Sequence, residues 1–173
     1  MPDAIRLLGD PVLRQPTDPV RSFDAGLRRL VDRMFEAMYA AEGAGLAANQ
    51  IGVGLRVFVM DCEGVKAVLV NPELTELSDE FVEDELEGCL SVPDRHYPTT
   101  RSVRAGVRGV DEHGEPVELT GEGYVARCFQ HEVDHLDGKV YLDRLTGKVR
   151  REAMRDLRRE GIAEPTPRRS WFG

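Results

Sequence analysis

The stretch Arg127–His135, written RCFQHEVDH, governs what this chain can fold into and do. It contains His-Glu-x-x-His, in which His131 and His135 are four residues apart. On an α-helix these positions lie one turn apart on one face, so both imidazoles can bind one ion. Glu132 projects about 100° further round the helix, where a carboxylate can take a proton from water without binding the ion. Two incidental surface histidines are the alternative, but the chain has only 4 histidines in all. The stretch therefore predicts a helix carrying a hydrolytic metal centre.

Periodicity around this stretch predicts the other elements. A helix over 24–41 begins at the N-cap Asp24, and an arginine-rich helix covers about 146–160. Hairpins are predicted for 55–62 with 66–72 and for 102–111 with 115–121. Helices do not alternate with every strand, which favours an α+β fold. We expect mixed, mostly antiparallel β-sheets packed around the central His-Glu-x-x-His helix, with a further N-terminal and a C-terminal helix.

Composition limits the class of protein. A chain of 173 residues with 41% hydrophobic content fits one compact domain, predicted over 1–163 and followed by a flexible tail at 164–173. The odd count of 3 cysteines excludes a complete disulfide framework and favours a reducing compartment. We find no signal-peptide pattern and no run of about 18 apolar residues. The expectation is a soluble, cytoplasmic protein with no membrane partner.

The net charge of −8 is unevenly distributed. From Arg144 to the end, nine basic residues stand against four acidic ones, on an otherwise acidic chain. This pattern indicates either a polyanionic partner for the C-terminal helix or a solvated helix face, and charge alone leaves both open.

A hydrolytic centre of this kind needs a third protein ligand and one position open to water. The carboxylates downstream of His135 lie in no recognisable ligand motif. Upstream, Cys89 lies in EGCLSVP at 87–93, and a thiolate is a strong ligand for zinc or ferrous iron. Taken alone, Cys89 is better explained as a small buried core residue, the commonest place for a free cysteine. A third segment, EGAGLAANQ at 42–50, has glycines that admit an extended peptide and a glutamine that can donate to an oxyanion.

Together these segments resemble the peptide deformylases. That family's signatures GxGLAAxQ, EGCLS and QHExDH are matched in order by Gly43–Gln50, Glu87–Ser91 and Gln130–His135. Gly9–Arg14 also resembles the family's opening segment. The resemblance covers most of residues 5–145, and three motifs in this order and spacing are very specific.

The resemblance implies a mechanism. Cys89, His131 and His135 would hold one divalent ion, expected to be Fe(II) in the cell, with zinc, nickel or cobalt as alternatives. Glu132 would accept the proton of the attacking water and return it to the departing amine. The Gln50 amide and the Leu90 backbone N–H would stabilise the oxyanion.

The resemblance also implies the substrate, an N-formylmethionyl nascent peptide that is cleaved to release formate. Ala44, Gly45 and Gly88 would contact it as an added strand. The methionine pocket would be formed by Leu86, Cys128 and Phe129. Ala44 stands where the family usually has a larger aliphatic residue, so this wall of the pocket is predicted to be wider or filled from elsewhere.

The basic C-terminal helix would dock on the ribosome, as it can in bacterial members of the family. Two other functions stay as alternatives: a peptidase of the His-Glu-x-x-His class, and a non-catalytic, metal-stabilised module that binds ribosomes. His96 has no role that the resemblance supplies, and His113 is expected at the surface. Asp134 either orients a ligand histidine or caps a turn.

Overall fold

The computed structural model describes residues 1–162, so the tail predicted at 164–173 lies outside it and the domain limit at 163 stays a prediction. It has the predicted α+β architecture. The helices are α1 (Ala25–Ala40), α2 (Gly123–Leu136) and α3 (Gly147–Arg159). The strands are β1 (Gly45–Ala47), β2 (Val57–Cys62), β3 (Val65–Leu77), β4 (Phe81–Val82), β5 (Leu86–Cys89), β6 (Val92–Pro98), β7 (Arg101–Ser102), β8 (Arg104–Val110) and β9 (Pro116–Glu122). Short 3-10 helices cover Pro11–Arg14, Ala48–Ile51 and Tyr141–Arg144. Among the described residues, no helix is both long and apolar enough to cross a bilayer.

The main sheet has five antiparallel strands in the order β1-β2-β3-β8-β9, and both predicted hairpins are confirmed. The turn between β2 and β3 has φ values of 49° at Glu63 and 83° at Gly64, the pair of left-handed residues that tight hairpins require. β3 runs beyond its predicted end at Pro72. The sheet tolerates this proline because the pairing with β8 is irregular between Val70 and Glu73, where no regular ladder bond is lost.

Helices α1 and α2 cover opposite faces of this sheet. Alternation along β2 directs Val57 and Val59 toward the core under α1, and Phe58 and Met60 toward the core under α2. The predicted N-cap of α1 is confirmed, because Asp24 accepts hydrogen bonds from the first-turn amides. The sheet thereby becomes the rigid wall against which α2 is held.

Every residue of α2 from Val125 to Leu136 is buried, including six polar ones. A surface helix would expose such residues, and buried polar groups are stable only when they are hydrogen-bonded or bind a ligand. Gln130 shows the structural use: its side chain exchanges hydrogen bonds of 3.0–3.1 Å with the backbone of Ser102 and ties α2 to β7. The remaining polar residues of α2 face the site described below.

A third core forms where α3 packs against β6 and the 3-10 helix at Tyr141–Arg144. Ala153 and Leu157 of α3 are buried there beside Tyr97 and Tyr141, and Cys89 packs against the edge of this core. The opposite side of α3 exposes its arginines: Arg150, Arg151, Arg155, Arg158 and Arg159. The C-terminal helix is thus part of the folded body on one side and a basic surface on the other.

Candidate active site

Three potential metal ligands meet where β5 ends against α2. The Nε2 atom of His135 lies 3.2 Å from Cys89 Sγ and 3.2 Å from Nε2 of His131. All three donor atoms lie within 4.8 Å of one another. Among residues 1–162, Cys89, His131 and His135 are the cluster of His, Cys, Asp or Glu side chains that could hold a metal ion. Ligands of one tetrahedral ion with bonds of about 2.0–2.3 Å are expected at comparable separations. The separations of the thiol sulfur and the two imidazole nitrogens suit coordination of one shared ion better than hydrogen bonds among the three groups. This group can therefore hold a metal.

The two histidines come from one face of α2, as their spacing predicts, whereas Cys89 arrives from a separate hairpin. Strands β5 and β6 pair with an irregularity between Gly88 and Cys89, and a short turn at 90–91 follows. A bulge of this kind re-aims side chains at the end of a strand. Here the irregularity lies where Cys89 approaches His135.

Glu87 sets the orientation of His131. Its Oε1 lies 2.6 Å from His131 Nδ1, and its carboxylate also accepts two hydrogen bonds from Arg101 and one from Arg127. Burial opposes ionisation, but the hydrogen bonds from His131 and Arg101 hold the pKa of Glu87 below its ordinary value. The ionised carboxylate fixes the tautomer that leaves Nε2 free for a metal.

Asp134 is bound by two arginines. This buried carboxylate bonds to no histidine; it accepts hydrogen bonds from Arg101 at 2.6 Å and from Arg144 at 3.0 Å. It neither orients a ligand histidine directly nor caps a surface turn. Asp134 fixes Arg101, which in turn holds Glu87.

Glu132 lies beside the ligands with one oxygen unused. Its side chain is buried, and Oε2 has no hydrogen-bond partner among the described residues. Burial raises the pKa of this carboxyl to about 7. A Cβ at Gly45 would come within 2.5 Å of Glu132 Oε1 and 2.9 Å of Cys128 Sγ, so only glycine lets β1 approach the helix this closely.

Gln50 is held in one orientation. Its Oε1 accepts a hydrogen bond of 2.9 Å from the Ala47 backbone N–H, which leaves the Nε2 donor directed at the ligand group. Nε2 lies 3.1 Å from Ser91 Oγ and 3.7 Å from Cys89 Sγ. A donor fixed in this way costs little reorganisation when it meets a developing negative charge.

A cavity of about 560 Å³ opens onto these groups. Its wall includes most of the residues predicted to contact substrate: Ala44, Gly45, Leu86, Gly88, Leu90 and Cys128. Phe129 is different. It is fully buried in the core between the sheet and α2, because one position along a helix rotates a side chain by about 100° away from Cys128. Phe129 therefore lies in the core and not on the wall of the cavity, contrary to the prediction.

Two strand edges border the cavity. Within residues 1–162, β1 pairs with β2 alone and β5 pairs with β6 alone, which leaves the other edge of each strand available. The Ala44 carbonyl already accepts a hydrogen bond from the Asp61 N–H at 2.9 Å. An extended peptide between these edges would therefore pair mainly with the remaining backbone groups near Ala44 and Gly88.

Several residues that line the cavity were not predicted from the sequence. Ile5, Glu42, Tyr124 and Arg127 line the cavity, although none of them belongs to the three family signatures. His96 lines it too, with its ring over Gly88, and it does not belong to the Cys/His/His group. His113 is exposed beside a turn, as expected. The position of Ile5, Glu42, Tyr124 and Arg127 at the cavity depends on tertiary contacts, which no local sequence pattern indicates.

The chain is similar to known proteins over most of its length. The family model for polypeptide deformylase matches residues 2–151. A peptide deformylase of Acidothermus cellulolyticus is 53% identical over 95% of this chain and 90% of that protein. One from Mycolicibacterium paratuberculosis is 46% identical over 93% of this chain and 90% of that protein.

Solved structures agree. The peptide deformylase of Thermus thermophilus superposes with a TM-score of 0.85 at 42% identity, covering 92% of this chain and 95% of that one. That of Synechococcus elongatus, solved with actinonin, gives a TM-score of 0.86 at 38% identity, covering 94% and 87%.

The fold and its buried Cys/His/His group define a metal-dependent hydrolase. The chain belongs to the polypeptide deformylase family, as its motifs predicted. Its function is removal of the N-formyl group from the initiator methionine of newly synthesised polypeptides, with release of formate. The peptidase and the non-catalytic module are thereby set aside.

Proposed function

We propose that Cys89, His131 and His135 hold one divalent ion and that this chain's deformylation takes place beside it. The observation that carries the proposal is the convergence of the three donor atoms within 4.8 Å at the cavity. A divalent ion held there would supply a water nucleophile at neutral pH and polarise the formyl carbonyl. We expect Fe(II) in the cell, with zinc, nickel or cobalt accepted by the same ligands.

Glu132 acts as the general base and acid. Its Oε2, buried and without a partner among residues 1–162, can accept the proton of the attacking water and deliver it to the departing methionine amine. Gln50 Nε2 and the Leu90 backbone N–H donate to the oxyanion that forms on the formyl oxygen. The fixed orientation of the Gln50 amide supports this assignment.

The substrate lies as an extended strand between β1 and β5, with its backbone against Ala44, Gly45 and Gly88. Cys128 and Leu86 lie on the cavity wall where the methionine side chain would enter. Backbone pairing tolerates varied sequence beyond the methionine, which suits an enzyme that acts on many nascent chains.

The exposed arginines of α3 dock this enzyme on ribosomal RNA in the cytoplasm.

The test is formate release by the metal-loaded full chain from a formyl-methionyl tripeptide, beside its acetylated and unformylated counterparts. We expect formate and free methionyl peptide in equal amounts from the formylated substrate alone, and loss of activity with a chelator. Cleavage of a peptide bond in the unformylated tripeptide would instead indicate a peptidase.

A further inference from the structure

The two histidines of the ligand group differ in what their second ring nitrogen contacts. Nδ1 of His131 has the Glu87 carboxylate at 2.6 Å. Nδ1 of His135 is buried and has no hydrogen-bond partner among residues 1–162. A histidine that binds an ion through Nε2 carries its proton on Nδ1, and that proton almost always has an acceptor that fixes the ring. His135 therefore needs an acceptor.

Asn49, which contacts His135, carries a buried oxygen that could serve as such an acceptor. Its side-chain Nδ2 donates a hydrogen bond of 2.6 Å to the His135 backbone carbonyl, and the residue is fully buried. This contact fixes the amide, because only the nitrogen can donate to a carbonyl. The other amide atom, Oδ1, is buried and has no partner among the described residues. Asn49 and His135, which are in contact, thus leave one acceptor, Asn49 Oδ1, and one potential donor, His135 Nδ1, without a partner among the described residues.

We propose that Asn49 is the positioning residue of His135, through one ordered water that accepts the Nδ1 proton and donates to Asn49 Oδ1. Buried water commonly occupies such positions, since each unsatisfied buried polar group is costly. Asn49 lies in the short helix Ala48–Ile51 next to Gln50, so one turn positions both a ligand histidine and the oxyanion donor. The inference rests on the proposed metal site.

Metal affinity tests the inference independently of turnover. We would measure the zinc dissociation constant of the full chain by chelator competition for wild type, Asn49→Leu, Asn49→Asp and Thr17→Val. Thr17 is the matched control: its hydroxyl donates to the Leu136 carbonyl at 3.0 Å, at the same end of α2 but from a different segment. Asn49→Leu removes both polar atoms, whereas a buried, neutral aspartic acid in Asn49→Asp keeps a donor for the His135 carbonyl and an acceptor at its other oxygen.

We expect Asn49→Leu to weaken zinc binding by about tenfold to a hundredfold, the range for loss of an outer partner of a ligand histidine. Asn49→Asp should stay within about threefold of wild type, because a neutral aspartic acid keeps both the donor to the His135 carbonyl and the acceptor. Thr17→Val should lower the melting temperature without changing zinc affinity. Equal affinity of Asn49→Leu and wild type, or equal losses for Leu and Asp, would refute the role of Asn49.

If Asn49→Leu fails to fold, a high-resolution crystal structure of the zinc-loaded wild type decides. A water within hydrogen-bond distance of both Asn49 Oδ1 and His135 Nδ1 supports the inference, and its absence from that position overturns it. Wild-type protein that binds no ion would refute the metal site itself. Wild type that binds zinc while Asn49→Leu binds it equally well refutes only the part assigned to Asn49.

Discussion

Glu87 Oε1 lies 2.6 Å from His131 Nδ1, and the same carboxylate is held by Arg101, whose side chain is only 3% exposed. A charge so deeply buried is stable only when it is paired and hydrogen-bonded, as Arg101 is with Glu87 and Asp134. The contact between Arg101 and Glu87 therefore links the stability of the fold to the geometry of the proposed metal site.

Arg101→Gln should lower both the stability of the fold and the affinity for zinc. Removing one member of a buried ion pair destabilises a protein by about 3–5 kcal/mol, and a loosened His131 should weaken zinc binding by about tenfold or more. Urea denaturation and chelator competition measure the two effects. The control is Arg108→Gln, which breaks an exposed pair with Glu73 and should cost at most about 1 kcal/mol. Similar effects of both substitutions would contradict a special position for Arg101.

Glu132→Gln separates metal binding from proton transfer. The substitution keeps the size of the side chain but removes the base, so kcat should fall by about 10²- to 10⁴-fold. Metal content by elemental analysis should stay at one ion per chain, because Glu132 is not among the grouped ligands. A variant that keeps wild-type kcat would exclude Glu132 as the base.

Cys128 and Phe129, which are adjacent in α2, should differ in their effect on KM. Cys128→Leu enlarges a side chain that lines the cavity and also belongs to the core that contains Phe129, so it should raise KM for formyl-methionyl peptides and lower stability as well. Phe129→Leu alters the core and should lower the free energy of unfolding by about 1–3 kcal/mol, while KM stays unchanged. Steady-state kinetics and denaturation of both variants make the comparison. Unchanged KM for Cys128→Leu would remove Cys128 from the methionine pocket.

Ribosome binding should depend on the exposed side of α3. Deleting residues 146–173, the simplest test, would also remove Ala153 and Leu157 from the core that Cys89 packs against. Reversing charge at Arg155 and Arg158 leaves that core intact and should weaken ribosome cosedimentation, most strongly at low salt. The same reversal at Arg28 and Arg29 of α1 is the control. Activity on short peptides should not change in either variant, and equal cosedimentation of the two would end this proposal.

Local spacing predicted the elements, because periodicity and caps are properties of neighbouring residues. The helix α2 and the shared face of His131 and His135 follow from positions four apart. Cys89 and Gln50 lie far from α2 in sequence, and only the resemblance of three motifs to one family linked them. No local pattern encodes that distant segments converge.

The residues missed by sequence reasoning act over long distances in the chain. Arg101 and Arg127 reach Glu87 across 14 and 40 residues, and an arginine alone gives no sign of being buried. Asn49 is similarly separated from His135 by 86 residues. The family resemblance placed Phe129 in the methionine pocket, whereas the structure buries it in the core between the sheet and α2.

The most direct measurement is anomalous diffraction from crystals of the zinc-loaded protein, collected on both sides of the zinc edge. We predict one peak about 2.3 Å from Cys89 Sγ and about 2.0–2.1 Å from Nε2 of His131 and of His135, with no fourth protein ligand. An anomalous peak elsewhere, or a side chain completing the coordination sphere in place of solvent, would contradict the account.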